Sequence, residues 1–358
     1  MKRTIVPFGP QHPVLPEPIH LDLVLEDEKV VEAIPSFGFV HRGMEDLASK
    51  RDFNDYLYVV ERICGICSYM HGMAYCEGAE RIFEVEIPDR AKYLRTIWCE
   101  LSRLHSHLLW LGLLADAFGF EALFMQSWRI REKILDMVED STGGRLISSV
   151  NRIGGVARDM DSAMLAGFVA QFDKMESELR ALTKVFLTDS TVRARLFEVG
   201  VLTKQDALLY GAVGPMMRAS GIELDTRKLG YAAYGKLDFD IITSNGCDAL
   251  ARCEVRIGEI FQSFRLIRQA VDKIPAGEIY VPVSGNPKGD ATVRVEQPRG
   301  EALYYMKANG TRNLERFRVR TPTFSNVYSL LKILPGAQFA DVPLLILTID
   351  PCISCTER

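Results

Sequence analysis

The chain has 358 residues, with 43 Lys plus Arg against 47 Asp plus Glu and a net charge of −4. Charged residues make up 25% and apolar residues 47%, the proportions of a globular protein with a large core, in two domains or one big one. So even a charge leaves no footprint for nucleic acid or for an anionic membrane surface. The longest apolar stretch, Leu108 to Phe120, is interrupted by Asp116 and falls short of the ~20 residues a bilayer requires. The amino-terminal M-K-R-T-I-V-P-F-G-P lacks the apolar run of a secretory signal. Membrane attachment is therefore expected to come through another subunit.

Residues 1–18 are rich in Pro and Gly and read as an extended, irregular arm. His20 to Leu25 alternates as a strand, and Lys29 to Ile34 reads as its hairpin partner. The middle of the chain is helical. Leu94, Ile97, Leu101, Leu104, Leu108 and Leu111 recur at three- and four-residue steps. So do Met164, Phe168, Phe172, Met175, Leu179, Leu182 and Phe186, and again Leu250, Cys253, Ile257, Ile260, Phe264, Ile267 and Val271. After Pro275 the pattern shortens: Glu278 to Val283, Ala291 to Glu296, Ala302 to Lys307 and Arg316 to Arg320 read as strands, and Thr323 to Leu334 as a helix. The apolar run at 342–349 carries the last residues towards the interior. The expected fold is α+β and mainly α, a long-helix bundle core with small peripheral β-sheets. Three segments are expected: an arm and β-hairpin over 1–50, a helical bundle core over 51–275, and a small β region with the C-terminal segment over 276–358.

Eight cysteines punctuate the chain, and without an export signal disulfides are not expected. Four form two C-x-x-C pairs: Cys64 and Cys67 in R-I-C-G-I-C-S-Y-M-H, and Cys352 and Cys355 in D-P-C-I-S-C. One turn places residues i and i+3 on the same side, so each pair can grip one metal. A structural zinc site, a thioredoxin-like redox pair and chance placement of buried thiols compete with this reading. Zinc pairs are usually separated by a short ribbon, whereas nearly the whole chain separates these; no βαβ context surrounds either pair. Soft thiolates suit nickel, copper(I), zinc or iron–sulfur, and spacing does not choose among them. Cys76, Cys99, Cys247 and Cys253 have no partner at ligand spacing and read as core or near-core thiols.

R-I-C-G-I-C together with D-P-C-x-x-C resembles the large subunit of nickel–iron hydrogenases. Other segments resemble the quinone-site subunit of respiratory complex I: G-P-Q-H-P (9–13), H-R-G-M-E (41–45), P-D-R-A-K-Y-L-R (88–95), E-L-S-R-L-H-S-H-L-L-W-L-G (100–112), R-E-K-I-L-D (131–136), G-G-V-A-R-D (154–159) and P-R-G-E (298–301). The mixture, over nearly the whole chain, is that of membrane-bound, energy-converting hydrogenases of the Ech or CO-induced type. The complex I subunits share the frame without the cysteine pairs, so the alternative is a metal-free quinone-contact subunit.

The resemblance implies a nickel–iron centre, the iron bearing carbonyl and cyanide. Cys64 and Cys352 match the terminal nickel ligands, and Cys67 and Cys355 the bridging ones. It implies reversible reduction of protons to hydrogen with electrons from reduced ferredoxin. The implied partners are a small subunit with a 4Fe–4S cluster, a ferredoxin-like subunit and integral membrane subunits of an ion-translocating arm, with the chain on the cytoplasmic face of the membrane.

It also assigns roles to residues that look ordinary by themselves. Glu17, by itself a solvated loop carboxylate, matches a proton relay to the terminal thiolate. Arg299 in P-R-G-E, by itself a surface loop arginine, matches one that overhangs the open metal position, and Asp350 matches its carboxylate neighbour. His71, otherwise a core histidine, matches a donor to a bridging sulfur. His105 and His107 read as core histidines, and His12 and His41 as contacts to a partner subunit. Glu45 matches a ligand of a further Mg or Fe near the C-terminus, but relatives that hold this metal end in histidine. Here the last residue is Arg358, which cannot ligate a cation, so the expectation is no metal or a Glu45–Arg358 ion pair.

Overall fold

The computed structural model describes residues 3–13 and 15–358. Strand β1 (Arg3–Phe8) pairs antiparallel with β2 (His20–Glu26), and β2 with β3 (Lys29–Ser36), in the order β1-β2-β3. The expected irregular arm is thus corrected for Arg3–Phe8. The β-branched run Thr4-Ile5-Val6 favours a strand, and Pro7 is tolerated because β1 lies at the sheet edge. Leu21 and Leu23 turn inward and pack with Phe8 and Val30.

The helices follow: α1 (Phe53–Glu61), α2 (Ser68–Phe83), α3 (Asp89–Ala117), α4 (Glu121–Thr142), a two-residue pair of β4 (Asn151–Arg152) and β5 (Gly155–Val156), then α5 (Ser162–Thr188). Short α6 (Ser190–Leu196), α7 (Lys204–Leu209) and α8 (Pro215–Arg218) lead to α9 (Ala249–Lys273). Carboxylates start the long helices where the pattern needs them: Asp161 accepts from Met164 N at 2.8 Å, and Asp248 from Ala251 N at 2.8 Å. The three apolar stripes become the buried faces of α3, α5 and α9, with α3 packed against α4 and α9, and α5 against α9.

Glu278 to Val283 is not a strand. It runs extended beside the β4–β5 turn, touching it through Val156 N–Ile279 O and Val281 N–Gly154 O. One antiparallel sheet, β6 (Lys288–Gln297), β7 (Gly300–Asn309) and β8 (Leu314–Arg320), absorbs the other three expected strands at greater length. Its inner residues Val293, Val295, Ala302, Tyr304 and Phe317 join the core beside α2. Then come α10 (Pro322–Ile333), α11 (Val342–Thr348) from the apolar tail, and the one-turn α12 (Ile353–Thr356). Trp110 on α3 donates its indole N–H to Leu347 O at 2.7 Å, which anchors α11 inside the bundle.

Between α3, α9 and the 215–230 segment lies a buried ionic cluster the sequence did not announce. Arg218 donates to Glu259 at 2.7 Å and to Glu296 at 2.8 Å, and Arg227 to Asp225 at 2.7 Å. His107 Nε2 lies 2.9 Å from Glu259. Burial opposes the charge on Glu259, but Arg218, His107 and Arg103 outweigh it and hold the carboxyl well below its usual value.

Candidate metal centre

Both cysteine pairs sit where a helix begins. Cys67 precedes α2, and Cys352 precedes α12. A helix start presents unpaired N–H groups and favours negative charge, so α2 suits a thiolate at Cys67. His71 lies one turn further along α2 and therefore on the same side as Cys67.

Tertiary structure brings the two ends of the chain together. Cys67 Sγ and Cys355 Sγ are 3.3 Å apart, and so are Cys64 Sγ and Cys352 Sγ. All four sulfurs lie within 4.8 Å of one another, and all four residues are buried. Metal–sulfur bonds are about 2.3 Å, so a metal between these sulfurs can reach them with little adjustment. Left to themselves, the sulfurs share charge unevenly. Hydrogen bonds from Cys352, Cys355 and Cys64 hold Cys67 well below the usual thiol value, while burial pushes Cys355 well above it. Soft, buried, crowded sulfur donors fit a thiophilic metal centre.

Backbone contacts shape the pocket. Ile66 N donates to Cys64 Sγ at 3.3 Å. Cys352 N donates to Thr323 Oγ1 on α10 at 3.0 Å. Arg42 Nη2 donates to Ile63 O at 2.9 Å and to Ser354 O at 3.0 Å, so one guanidinium ties together the turns bearing both pairs.

His71 Nε2 lies 3.3 Å from Cys67 Sγ and 3.2 Å from Cys355 Sγ. Arg299 occupies the tip of the β6–β7 hairpin yet is only 4% exposed. The hairpin can press inward because Gly300 meets Gly214 across the gap. Gly300 has φ +130° and Gly214 φ +67°, and a Cβ on Gly214 would come within 2.2 Å of the Gly300 Cα. Arg299 Nε donates to Asp350 Oδ1 at 2.9 Å, and Asp350 itself holds φ +55°. Burial opposes charge on Arg299, but Asp350 and the sulfurs of Cys352, Cys64 and Cys67 keep the guanidinium charged. Among the described residues Arg299 Nη1 and Asp350 Oδ2 are buried without a hydrogen-bond partner, which leaves polar capacity free beside the sulfurs.

Glu17 Oε2 accepts from Ser354 N at 3.0 Å and also from Ile353 N, which fastens it to the start of α12. Burial pushes this carboxyl upward against the pull of Arg299 and the two N–H groups. Glu17, Arg299, Asp350 and Pro351 share a small cavity of about 160 Å³ with Ile66, Trp110 and Trp128.

Of the remaining candidates, His105 is held by Ile66 O at 2.8 Å and pushed down to about 3 by burial and then by Arg131, so it is a neutral core histidine. His107 faces Glu259, as described. His41 Nδ1 lies 2.8 Å from Glu357 O, on the C-terminal tail. Cys76, Cys99 and Cys253 are buried away from the tetrad, and Cys247 is half-buried. Glu45 accepts from Arg358 Nε at 2.9 Å, from Val319 N at 2.9 Å and from Arg318. The expected Glu45–Arg358 ion pair is thus present. Two guanidinium groups on one carboxylate do not suit a divalent cation. Sequence reasoning missed Tyr304, Gln297, Thr323 and the bridging role of Arg42. Arg42 and Gln297 lie within or beside the quoted H-R-G-M-E and P-R-G-E segments, but Tyr304 sits in an ordinary strand pattern.

A long-helix bundle closes its own C-terminus over four buried thiols, an arrangement consistent with metal binding. The chain belongs to the family that joins the large subunits of membrane-bound hydrogenases with the 49 kDa subunits of respiratory NADH dehydrogenase. Residues 42–116 match the profile described as nickel-dependent hydrogenase. Residues 117–285 and 279–358 match that of the respiratory-chain NADH dehydrogenase 49 kDa subunit. The carbon monoxide-induced hydrogenase of Rhodospirillum rubrum is 39% identical over 100% of both chains. Membrane-bound hydrogenase subunit alpha of Pyrococcus furiosus is 36% identical over 99% of this chain and 87% of its own. Among solved structures, an archaeal membrane-bound sulfane sulfur reductase, a respiratory membrane complex, matches with a TM-score of 0.95 at 30% identity, over 99% of this chain and 98% of that one. These relatives place the chain among oxidoreductase subunits of membrane complexes. Among the described residues no helix is long and apolar enough to cross a membrane.

Proposed function

We propose that this chain is the catalytic large subunit of an energy-converting nickel–iron hydrogenase, interconverting two protons and two electrons with hydrogen. The observation that carries the reading is the convergence of Cys64, Cys67, Cys352 and Cys355 in one buried pocket. In this reading the thiolates of Cys64 and Cys352 would hold nickel, and those of Cys67 and Cys355 would be shared between nickel and iron. The nickel–iron pair, when bound, supplies the site of two-electron exchange. The protein does the rest. Glu17, its Oε2 fixed by backbone N–H groups, carries protons on its other oxygen to and from the Cys352 thiolate. Arg299, charged and held by Asp350, would offer its unpartnered Nη1 beside the cysteine pocket and would stabilise negative charge developing there. His71 donates to the bridging sulfurs and tunes them.

Electrons come from reduced ferredoxin through clusters in a small subunit and a ferredoxin-like subunit. The released energy drives ions through membrane subunits, with this chain on the cytoplasmic face. The alternative, a metal-free quinone-contact subunit, draws support from the 49 kDa profile over the C-terminal two-thirds of the chain, but it leaves four converging thiols without a task.

Elemental analysis of the purified complex is the test, together with infrared spectroscopy for metal-bound carbonyl and cyanide. About one nickel per chain and both sets of bands are expected. Zinc alone, or no metal with quinone-dependent activity, overturns the reading.

A further inference from the structure

The polar contacts do not stop at His71. Tyr304 Oη lies 2.8 Å from His71 Nδ1, and Gln297 Nε2 donates to Tyr304 Oη at 2.9 Å. All three residues are buried: His71 and Tyr304 are 0% exposed and Gln297 1%. We propose that Tyr304 and Gln297 are positioning residues that lock His71 in its Nε2–H form, so that one N–H is aimed at the sulfurs of Cys67 and Cys355. The proposal rests on the reading that these sulfurs bind the metal pair.

The hydrogen-bond chemistry leaves little freedom. Neutral imidazole has one N–H and one bare nitrogen, and the partner of one nitrogen decides the state of the other. A metal-bound thiolate only accepts, so the nitrogen facing Cys67 and Cys355 must carry the hydrogen. Nδ1 is then bare and needs a donor. Tyr304 O–H is that donor, at 2.8 Å. Having given away its hydrogen, the phenol oxygen can accept, and the Gln297 amide N–H fills that place at 2.9 Å.

The chain as it stands begins at Gln297, whose Nε2 donates to Tyr304 Oη while its Oε1 is buried without a hydrogen-bond partner among the described residues. Were its amide reversed, the Gln297 oxygen would take the Tyr304 hydrogen and turn a lone pair towards Nδ1. His71 would then have to shift its hydrogen to Nδ1 or take on a charge. The hairpin builds this arrangement locally. Gln297 pairs with Gly300 and Tyr304 with Val293, and the intervening Ala302 and Gly300 are small enough for the phenol to reach back to the amide. The two rings meet edge-on, with centroids 5.9 Å apart at 78°, which holds the imidazole plane towards both sulfurs.

An N–H donated to a thiolate withdraws electron density from the metals it binds. Tyr304→Phe removes one oxygen and no packing volume to speak of. The holoenzyme carrying it should keep its nickel, while its carbonyl and cyanide bands move to lower frequency as the sulfurs become more electron-rich. Gln297→Glu keeps the shape and reverses the polarity, and should shift the bands the same way. A purely structural role would leave the bands in place in both variants, and that result overturns the proposal. Histidine ¹⁵N shifts of the metal-loaded complex supply a second readout, independent of activity and of the bands. His71 should be the Nε2–H form in the parent complex and should shift its hydrogen to Nδ1 or become charged in Gln297→Glu; an Nδ1–H form in the parent complex, or no change in the variant, overturns the proposal. Absence of nickel and of both sets of bands from the parent complex refutes the metal reading instead, so the two failures are distinguishable.

Discussion

Arg299 donates through one nitrogen, Nε, to both Asp350 Oδ1 at 2.9 Å and Asp350 O at 3.0 Å. This leaves Arg299 Nη1 buried without a hydrogen-bond partner among the described residues. A lysine at this place offers one compact ammonium and cannot satisfy Asp350 while also reaching outward. Arg299→Lys should therefore keep its metal but lose hydrogen turnover by about a hundredfold or more, the scale of removing a preorganised donor. The check is hydrogen–deuterium exchange activity alongside nickel content, and full activity in the variant contradicts the assigned role.

Asp350→Ala should act on stability. It strands a buried guanidinium beside other polar groups, and breaking a buried pair in this way costs about 3–5 kcal/mol. Chemical denaturation of the purified complex should show a clear drop, whereas Asp350→Asn, which keeps an acceptor for Nε, should lose less.

Arg42 joins the carbonyls of Ile63 and Ser354, neighbours of Cys64 and Cys355. Arg42→Ala should loosen the C-terminal turn, with faster amide hydrogen exchange over 352–356 and poorer nickel retention on dialysis. Cys253→Ala, which alters a buried thiol outside the tetrad, is the control expected to retain nickel. Equal retention in both variants would show that Arg42 does not brace the pocket.

The tail tether should depend on pH with a definite sign. Burial works against the Glu45 charge, but Val319 N–H, Arg318 and Arg358 outweigh it and hold the carboxyl below its ordinary value. A carboxyl depressed on folding contributes stability that is complete above its unfolded value, about 4.3, and disappears as pH falls through the lower folded value. Tail protection in hydrogen exchange, corrected for intrinsic rates, should thus be steady near neutrality and fall in acid below about pH 4. Glu45→Gln should flatten that profile.

Glu259→Ala should be among the most damaging changes outside the pocket. It leaves Arg218 and Arg103 facing each other without their shared carboxylate, at a cost of about 3–5 kcal/mol. A midpoint of denaturation close to that of the parent chain would contradict this account of the cluster.

Much of the fold was legible in local pattern. Three apolar stripes marked α3, α5 and α9, because helical periodicity is written in neighbouring residues and burial follows it. The His20–Leu25 strand and its hairpin partner were legible for the same reason. Less readable was Arg3–Phe8, where Pro and Gly nearby masked a strand that exists because β2 offers it an edge. The stretch Glu278 to Val283 looked like a strand but, among the described residues, pairs just with the β4–β5 turn.

The candidate site divides along the same line. By itself the sequence determined the buried faces of α3, α5 and α9 and the two C-x-x-C pairs, since spacing within a turn is local information. Only the tertiary structure decided that Cys64 and Cys352 meet at 3.3 Å, that Arg42 spans both turns, and that Gln297 and Tyr304 stand behind His71. The reason is physical: hydrogen bonds are satisfied between whichever groups packing brings within about 3 Å, and partners more than two hundred residues apart leave no periodicity by which they could be paired in advance.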